Sequence, residues 1–573
     1  MKKRYEPFLV IALVAASGGI FLSGIHWGLP SRNTDPFLFG GHPVWTGQEI
    51  LALSGQSPAN SDRATDVSTH PLTDVYHTVI VNQTDEERAR IVRRYRLMSH
   101  HPDEFITFAS LAQMNPSHRK FDPQMYKYGG LWIYPVGAML KLAGIAGIIQ
   151  LKPDMAWYLD HPEYFGSFYV IARFYSALWG ILGTIVVFLL VRRLSGSNTA
   201  ASAGALCFAL EPVVVNSAHE AKPHLAGAVL MLIAVMAAAR YAELGTWRRW
   251  WTAVIAAGLA VGMVVSSLPV LLVLIVAEYI RYKRFPDVQL TSSLVRASAV
   301  LIATGLIYCI TNPYVPVNLL FHPAIVHSSF SATASFFHAG LAGIPNAVLL
   351  IGFGASFILA CTGIAGLCAF ALQALRKRNT TGSGSAQSSI LFLLLSLLAL
   401  AIGFQFTLLA GGQPADYARF ALFFDICLAI MAVVSVQKLV RHAAGRVVCF
   451  TILILTTGWM GALYVRGFVR DCGPRTTRIL AAPKIQAMLA TENRTMATAP
   501  QMEPASWSLP PADLWRWTIM VPPRGDAQEI STGARVIVRP MDLPAGTHSP
   551  VIKALYSTPI SWASKIFEVE TRP

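Results

Sequence analysis

Repeated apolar runs constrain this chain more than any other feature of its sequence. Eleven runs can be read as spans, although the fifth and sixth are short and closely spaced. A helix needs roughly 20 apolar residues to cross about 30 Å of hydrocarbon. Charged residues are only 13% of the 573 residues, roughly half their share in soluble proteins. The sequence therefore predicts an all-α polytopic membrane protein, with spans near 8–29, 165–191, 199–216, 222–242, 250–265, 267–280, 293–311, 345–374, 388–410, 418–437 and 447–465.

Basic clusters predict the orientation of these spans. Lysine and arginine are enriched in cytoplasmic loops, and here they fall on alternate connections, at 2–4, 192–193, 248–249, 281–284, 376–378 and 438–446. Eleven spans then place the N-terminus in the cytoplasm and the C-terminus on the opposite side of the membrane. We expect the membrane to be a bacterial inner membrane, so that the C-terminus lies in the periplasm. We expect a membrane module over 1–465 with an outer loop at 30–164. The tail, 466–573, is predicted to form an extracytoplasmic domain of mixed or mainly β structure.

The composition argues against two other classes of protein. A net charge of +15 would suit nucleic-acid binding, but the basic residues lie in short clusters beside apolar runs rather than in one stripe. Six of the seven cysteines lie in or against apolar runs, and only Cys472 falls in an aqueous region. The sequence therefore predicts neither a nucleic-acid partner nor a disulfide framework.

The first candidate site is the tetrapeptide His101-Pro102-Asp103-Glu104 in the long outer loop. A hydroxyl is a weak nucleophile, and a positioned carboxylate that removes its proton assists attack on a sugar carbon. Two adjacent carboxylates allow one to act as a base while the other orients the acceptor or binds a metal. The alternative is that Asp103 caps a helix that begins at Glu104.

A second outer turn carries four polar side chains, His219, Glu220, Lys222 and His224. Imidazole and carboxylate groups can bind a divalent cation, which is the only cofactor that the sequence suggests, and Lys222 can bind a phosphate. Pro223 interrupts the helix that would put Glu220 and His224 on one face. The alternative is an interfacial loop without a ligand.

A third outer turn places Tyr417 and Arg419 at the start of the tenth predicted span. The arginine fork matches phosphate oxygens, and a helix N-terminus favours an anion. Tyrosine and arginine also anchor the ends of spans at the membrane interface, so both interpretations remain open.

The order of several short motifs resembles the GT-C superfamily. It is most similar to the protein O-mannosyltransferase and aminoarabinose transferase group of polyprenyl-phosphate-dependent glycosyltransferases. The resemblance covers roughly residues 7–465. Its motifs are His101-Pro102-Asp103-Glu104, Tyr134-Pro135-Val136, Ala172-Arg173, Arg192-Arg193, Thr311-Asn312-Pro313-Tyr314 and Tyr417-Ala418-Arg419.

The resemblance implies an inverting transfer of a sugar from a polyprenyl-phosphate donor to a glycan, lipid or protein acceptor on the outer face. Asp103 would be the general base and Glu104 would assist it. The donor and its phosphate would contact the side chains of His101, Lys222, Tyr417 and Arg419, while any metal would bind His219, Glu220 and His224. The alternative is a secondary transporter or lipid-linked-sugar flippase, which the near absence of charge from the predicted spans disfavours.

Overall fold

The chain forms two compact units. The first, called the helical unit, comprises Met1–Leu22, Tyr126–Pro135 and Tyr175–Leu463; the second, called the loop–tail unit, comprises Ser23–Met125, Val136–Phe174 and Tyr464–Pro573. The sequence-based boundary at 465 lies beside that at 463, but most of the first outer loop groups with the tail. The computed structural model describes residues 6–54, 79–334, 337, 340–376, 386–411, 413, 415–491, 495–498, 509–521, 536–541 and 549–571.

Most of the described residues are helical, which confirms the predicted helical membrane architecture. Seven helices are long and apolar enough to cross a membrane, or up to nine if each of two bent pairs is one span. Glu6–Leu22 and Trp247–Met263 have only 17 residues each, so the count of eleven stays a prediction. The seven are Pro162–Ser195, His224–Leu244, Val265–Arg284, Leu290–Thr311, Ser389–Leu409, Ala415–Leu439 and Ala443–Arg470.

Two of the predicted spans are broken. Asn198–Leu210 and Pro212–Ala218 meet at 60°, and Ile344–Ala355 and Phe357–Phe370 meet at 111°. Pro212 opens the second half of the first pair, where its fixed φ suits a helix start but ends the preceding helix. Ser356 separates the halves of the second pair with φ +70°, a conformation outside the helical region. Run 345–374 is therefore not one straight helix.

The remaining helices of the helical unit are shorter. Gly130–Ile145 begins in this unit, contains Pro135 and continues beyond residue 135 into the loop–tail unit. Tyr314–Phe321 and Pro323–Ala334 follow Leu290–Thr311 and pack against each other. Within the helical unit Asn312 accepts a 2.7 Å hydrogen bond from the Gly130 amide, which fixes the start of Gly130–Ile145 to the end of Leu290–Thr311.

The loop–tail unit combines short helices with a mixed sheet. Five strands follow the order Val79–Ile80, Thr518–Val521, Thr495–Thr498, Val536–Met541 and Ile566–Thr571; the two inner pairings are parallel and the two edge pairings antiparallel. The first strand comes from the outer loop. The described helices of this unit are Asp35–Phe39, Gly47–Leu53, Asp85–Leu97, Phe105–Ala112, Met155–Asp160, Thr477–Thr491 and Pro550–Tyr556.

Asn82 joins the outer loop to the tail within this unit. Its side-chain amide donates to the Leu514 and Trp517 carbonyls at 2.9 and 2.6 Å, and its carbonyl oxygen accepts from the Ile519 amide at 2.9 Å. Three backbone groups of the tail are thus satisfied by one loop side chain. The described parts of the outer loop and the tail are therefore joined within one unit.

Candidate active site

Glu104 and Arg173 form a fully buried ion pair in the loop–tail unit. Arg173 Nε lies 2.8 Å from Glu104 Oε1, and Nη2 lies 2.6 Å from Oε2. The third guanidinium nitrogen donates to the carbonyls of Ile25 and Trp27, at 3.0 and 2.6 Å. Both side chains have zero exposure. The planar fork thus satisfies both carboxylate oxygens, and Glu104 is a member of the buried framework.

Asp103 occupies a different environment from its neighbours. It lies in the single turn Pro102–Glu104, before helix Phe105–Ala112, and its side chain is half-buried whereas those of His101 and Glu104 are buried. The Asp103 amide donates to His101 Nδ1 at 3.1 Å. The His101 side chain therefore caps this turn, and Glu104 takes the N-cap position of the helix that follows without a side-chain cap hydrogen bond. The turn fixes the backbone of Asp103, and the residue as a whole stays half-buried.

The electrostatics favour an ionised Glu104. Burial alone would raise the pKa of this carboxyl, but the Arg173 charge and its hydrogen bonds, together with Ser99, hold the pKa below its usual value. Beside this turn, burial and the nearby Arg478 lower the pKa of His100 to about 4, even though Asp471 opposes the shift. At neutral pH the His100 imidazole is therefore uncharged. Its 3.7 Å approach to Asp471 is a contact between a neutral ring and a carboxylate.

The second outer turn is buried in the helical unit. Glu220 Oε1 accepts from Asn216 Nδ2 at 2.7 Å, and Glu220 Oε2 lies 3.5 Å from Lys222 Nζ. The Glu220 backbone carbonyl accepts from Ser176 Oγ at 2.6 Å. Lys222 is only 2% exposed. A phosphate that binds Lys222 must therefore share the ammonium with Glu220.

The three side chains of the predicted metal site do not fit a metal ion. His219 Nδ1 lies 2.8 Å from the Val215 carbonyl, and Glu220 is paired as described above. The His224 ring packs against Phe420 with centroids 5.2 Å apart. Among the residues that the structure describes, no three His, Cys, Asp or Glu side chains are grouped to hold a metal. We therefore derive no chemical step through a metal.

The third outer turn lies beside the second. The contact between His224 and Phe420 joins them, and Arg419 is 5.1 Å from the Phe420 ring centroid and 5.0 Å from that of Tyr417. Arg419 also binds the Asp416 carboxylate at 2.8 Å. The predicted phosphate-binding residues Lys222 and Arg419 thus lie on adjacent turns of one unit, and each already faces a carboxylate.

Sequence reasoning missed four residues, of which Arg173, Asp471 and Arg478 lie in the loop–tail unit and Asn312 lies in the helical unit. Arg173 and Asn312 stand in the short motifs that carry the family resemblance, so a signal existed, but neither was assigned a role. Asp471 and Arg478, which contact His100, lie in the tail, where the sequence offered no motif.

The comparison with protein families bears on the helical region. Residues 134–303 match the family described as dolichyl-phosphate-mannose-protein mannosyltransferase. The predicted resemblance to the GT-C glycosyltransferases is confirmed. The match includes Arg173, Glu220 and Lys222, and it indicates a polyprenyl-phosphate-dependent glycosyltransferase. With its apolar helices, the chain is an integral membrane protein.

Two crystal structures are similar to the chain at low identity. ArnT from Cupriavidus metallidurans bound to undecaprenyl phosphate aligns with a TM-score of 0.35 at 16% identity, over 68% of this chain and 71% of that one. The apo form of ArnT aligns with a TM-score of 0.41 at 14% identity, over 82% and 90%. Both TM-scores lie below 0.5, so neither structure bears on the site. No curated protein sequence matches the chain.

Proposed function

We propose that the protein transfers a sugar, with inversion, from a polyprenyl-phosphate donor to an acceptor hydroxyl on the periplasmic face, with Asp103 as the general base. The observation that supports this assignment is the contrast within one turn. Glu104 and His101 are buried and bonded to the framework, whereas Asp103 between them is half-exposed. Of the two adjacent acidic residues, Asp103 is the more exposed, which favours it as the one that meets an acceptor.

The reaction is a direct displacement. The acceptor oxygen attacks the anomeric carbon while the bond from that carbon to the phosphate oxygen breaks, and its electron pair leaves with the polyprenyl phosphate. The acceptor proton moves to the Asp103 carboxylate. Backside attack in one step inverts the anomeric configuration. Glu104 keeps its charge and position through Arg173 and takes no proton in this scheme.

We further propose that Lys222 and Arg419, with Tyr417, bind the lipid phosphate. Fixed cations are most effective where negative charge develops in the transition state, which here is on the departing phosphate. The carboxylates of Glu220 and Asp416 keep the two cations in place before the donor binds. They also lower the net attraction, so the phosphate must compete with them.

The test begins in cells that lack the protein, where the unused lipid-linked donor accumulates and mass spectrometry of lipid extracts identifies it. Expression of the wild-type chain should remove this lipid. Asp103→Asn, at equal membrane abundance, should lower turnover of the purified lipid about a hundredfold or more, as the loss of a general base does. Asp85→Asn is the matched control, since Asp85 is exposed in the same loop, and its turnover should be normal. Normal turnover in Asp103→Asn would remove Asp103 as the base.

Transport of a lipid-linked sugar is a second candidate because of two buried carboxyl groups in the helical unit. Glu211 and Asp425 have zero exposure, and within the described residues none of their four carboxylate oxygens has a hydrogen-bond partner. Glu211 lies at the 60° break between Asn198–Leu210 and Pro212–Ala218. Asp425 Oδ2 packs close to Gly354, near the 111° break at Ser356. Transporters place ionisable groups at broken helices, and Glu211 and Asp425 are two such groups within spans that are otherwise nearly free of charge.

Liposomes containing the purified protein distinguish the two functions. The accumulated lipid-linked sugar is supplied together with membrane extract as a source of acceptor. Release of polyprenyl phosphate supports transfer. Movement of the intact lipid-linked sugar across the bilayer, without release, supports transport and contradicts the enzyme.

A further inference from the structure

Asp471 anchors the outer loop to the tail of the loop–tail unit. It follows helix Ala443–Arg470 and is 1% exposed. Its carboxylate accepts hydrogen bonds from the amides of Thr477 and Ser564, at 3.0 and 2.6 Å, and its backbone carbonyl accepts from the Gly28 amide at 2.9 Å. One residue therefore joins two parts of the tail to the start of the outer loop.

Arg478 makes a second anchor, close to the proposed base. It is 4% exposed, and its Nη2 donates to the carbonyl of His100 at 3.0 Å. The His100 amide donates to the Gly28 carbonyl at 2.7 Å. Burial lowers the pKa of Arg478 to about 9, with Asp471 opposing the shift, so the guanidinium stays charged at neutral pH. The peptide before His101 is therefore held by a cation of the tail.

The two anchors are linked to Asp103 through His101, which precedes it in the chain, and through Glu104, which follows it. On one side His100 leads to His101, whose ring accepts the Asp103 amide. On the other side Trp27, next to Gly28, accepts a hydrogen bond from Arg173, which in turn grips Glu104. Asp103 stands between these two fixed neighbours, so a shift of either anchor moves its carboxylate.

We infer that Asp471 and Arg478 are positioning residues for Asp103, so that the tail takes part in the reaction by holding the base in place. The inference rests on the proposed function. A displacement of about 1 Å at a catalytic group can cost on the order of a hundredfold in rate without any change in the group itself. Neither residue touches the substrate in this assignment, so donor binding should be independent of both.

The test uses the full-length protein in nanodiscs with the lipid-linked sugar that accumulates in deletion cells and with membrane extract as the acceptor source. Arg478→Gln and Asp471→Asn should lower the maximal rate roughly ten- to a hundredfold, while the dissociation constant for polyprenyl phosphate changes less than twofold. Arg478→Lys should recover part of the rate, because an ammonium still donates to the His100 carbonyl. Arg475→Gln is the matched control, since Arg475 is exposed three residues away, and it should behave as wild type.

Hydrogen exchange of the peptides covering 98–105 supplies a readout that does not depend on activity. Faster exchange there in Arg478→Gln, with unchanged exchange in helix Leu422–Leu439, supports local positioning. Equal loss of rate and of polyprenyl-phosphate binding, with exchange raised throughout, would mean a general folding role and would overturn the inference. So would a normal rate in Arg478→Gln and Asp471→Asn while Asp103→Asn is inactive, an outcome that leaves the proposed function intact. A normal rate in Asp103→Asn would instead remove the proposed base itself.

Discussion

Replacement of Glu104 by glutamine gives the sharpest test of the buried framework. The change keeps the shape of the side chain but removes the negative charge that Arg173 Nε and Nη2 contact at 2.8 and 2.6 Å. Both partners have zero exposure, so water cannot compensate the guanidinium. Breaking a buried pair in this way costs about 3–5 kcal/mol, a large part of the roughly 5–15 kcal/mol by which a protein is stable.

Hydrogen exchange by mass spectrometry measures this loss in the part of the chain where it occurs. Since about 1.4 kcal/mol corresponds to a tenfold change in an equilibrium, peptides covering 99–112 should exchange on the order of a hundredfold to several thousandfold faster in Glu104→Gln. The control is Glu86→Gln, which breaks the exposed pair of Glu86 with Arg90. Exposed pairs contribute roughly 0–1 kcal/mol, so exchange should hardly change.

The double variant Glu104→Gln with Arg173→Met separates an uncompensated charge from lost packing. Removing both charges leaves no buried ion without a partner, so the double variant should be less destabilised than Glu104→Gln alone. A change below about 1 kcal/mol in Glu104→Gln, or a double variant no milder than the single one, would refute the view that this pair holds the turn.

Three further outcomes are expected. The pKa of His100 is 6.5 in the unfolded chain and about 4 in the folded protein. The free energy of unfolding should therefore fall by about 3 kcal/mol as the pH is lowered from 6.5 to 4, at 1.36 kcal/mol per pKa unit. Thermal melts of His100→Gln should lack this dependence on pH. Polyprenyl phosphate should bind Arg419→Ala roughly ten- to a hundredfold more weakly than wild type. Arg419→Lys should restore only part of the affinity, because lysine lacks the planar guanidinium fork. Equal dissociation constants for all three proteins would show that Arg419 does not bind the phosphate. Gly24→Ala should lower the melting temperature, because φ is +86° and a Cβ would lie 2.7 Å from the Val469 amide nitrogen, whereas Gly19→Ala, with open space around it, should melt within a degree or two of wild type.

Local properties of the chain were sufficient to predict its helical membrane character. Span length and apolar composition act over some 20 consecutive residues, and they are legible without knowledge of any distant contact. The breaks in two of the spans were harder to predict from the sequence. Pro212 marks one break in the sequence, but Ser356 is an ordinary residue, and nothing in its sequence context indicates the positive φ that it adopts.

The sequence did not show which charged side chains are buried, because burial depends on tertiary contacts. The charged segment 84–99 reads as a solvated helix, and helix Asp85–Leu97 does form, with Thr84 and Glu87 as its capping box. Yet Arg96 in its last turn has zero exposure and binds Asp35 at 2.9 Å. The helix sequence does not show that Arg96 is paired, since its partner Asp35 lies 61 residues away.

The same reason governs the candidate site. The sequence by itself shows two adjacent carboxylates in the long loop 30–164, and the family resemblance implied a chemical role for them. The resemblance assigned the base to Asp103, but nothing in the sequence showed that the two residues differ in burial. Only the tertiary structure shows that difference, because Arg173, 69 residues from Glu104 along the chain, binds the Glu104 carboxylate in a fully buried pair. Asp103, in the same turn, is only half-buried.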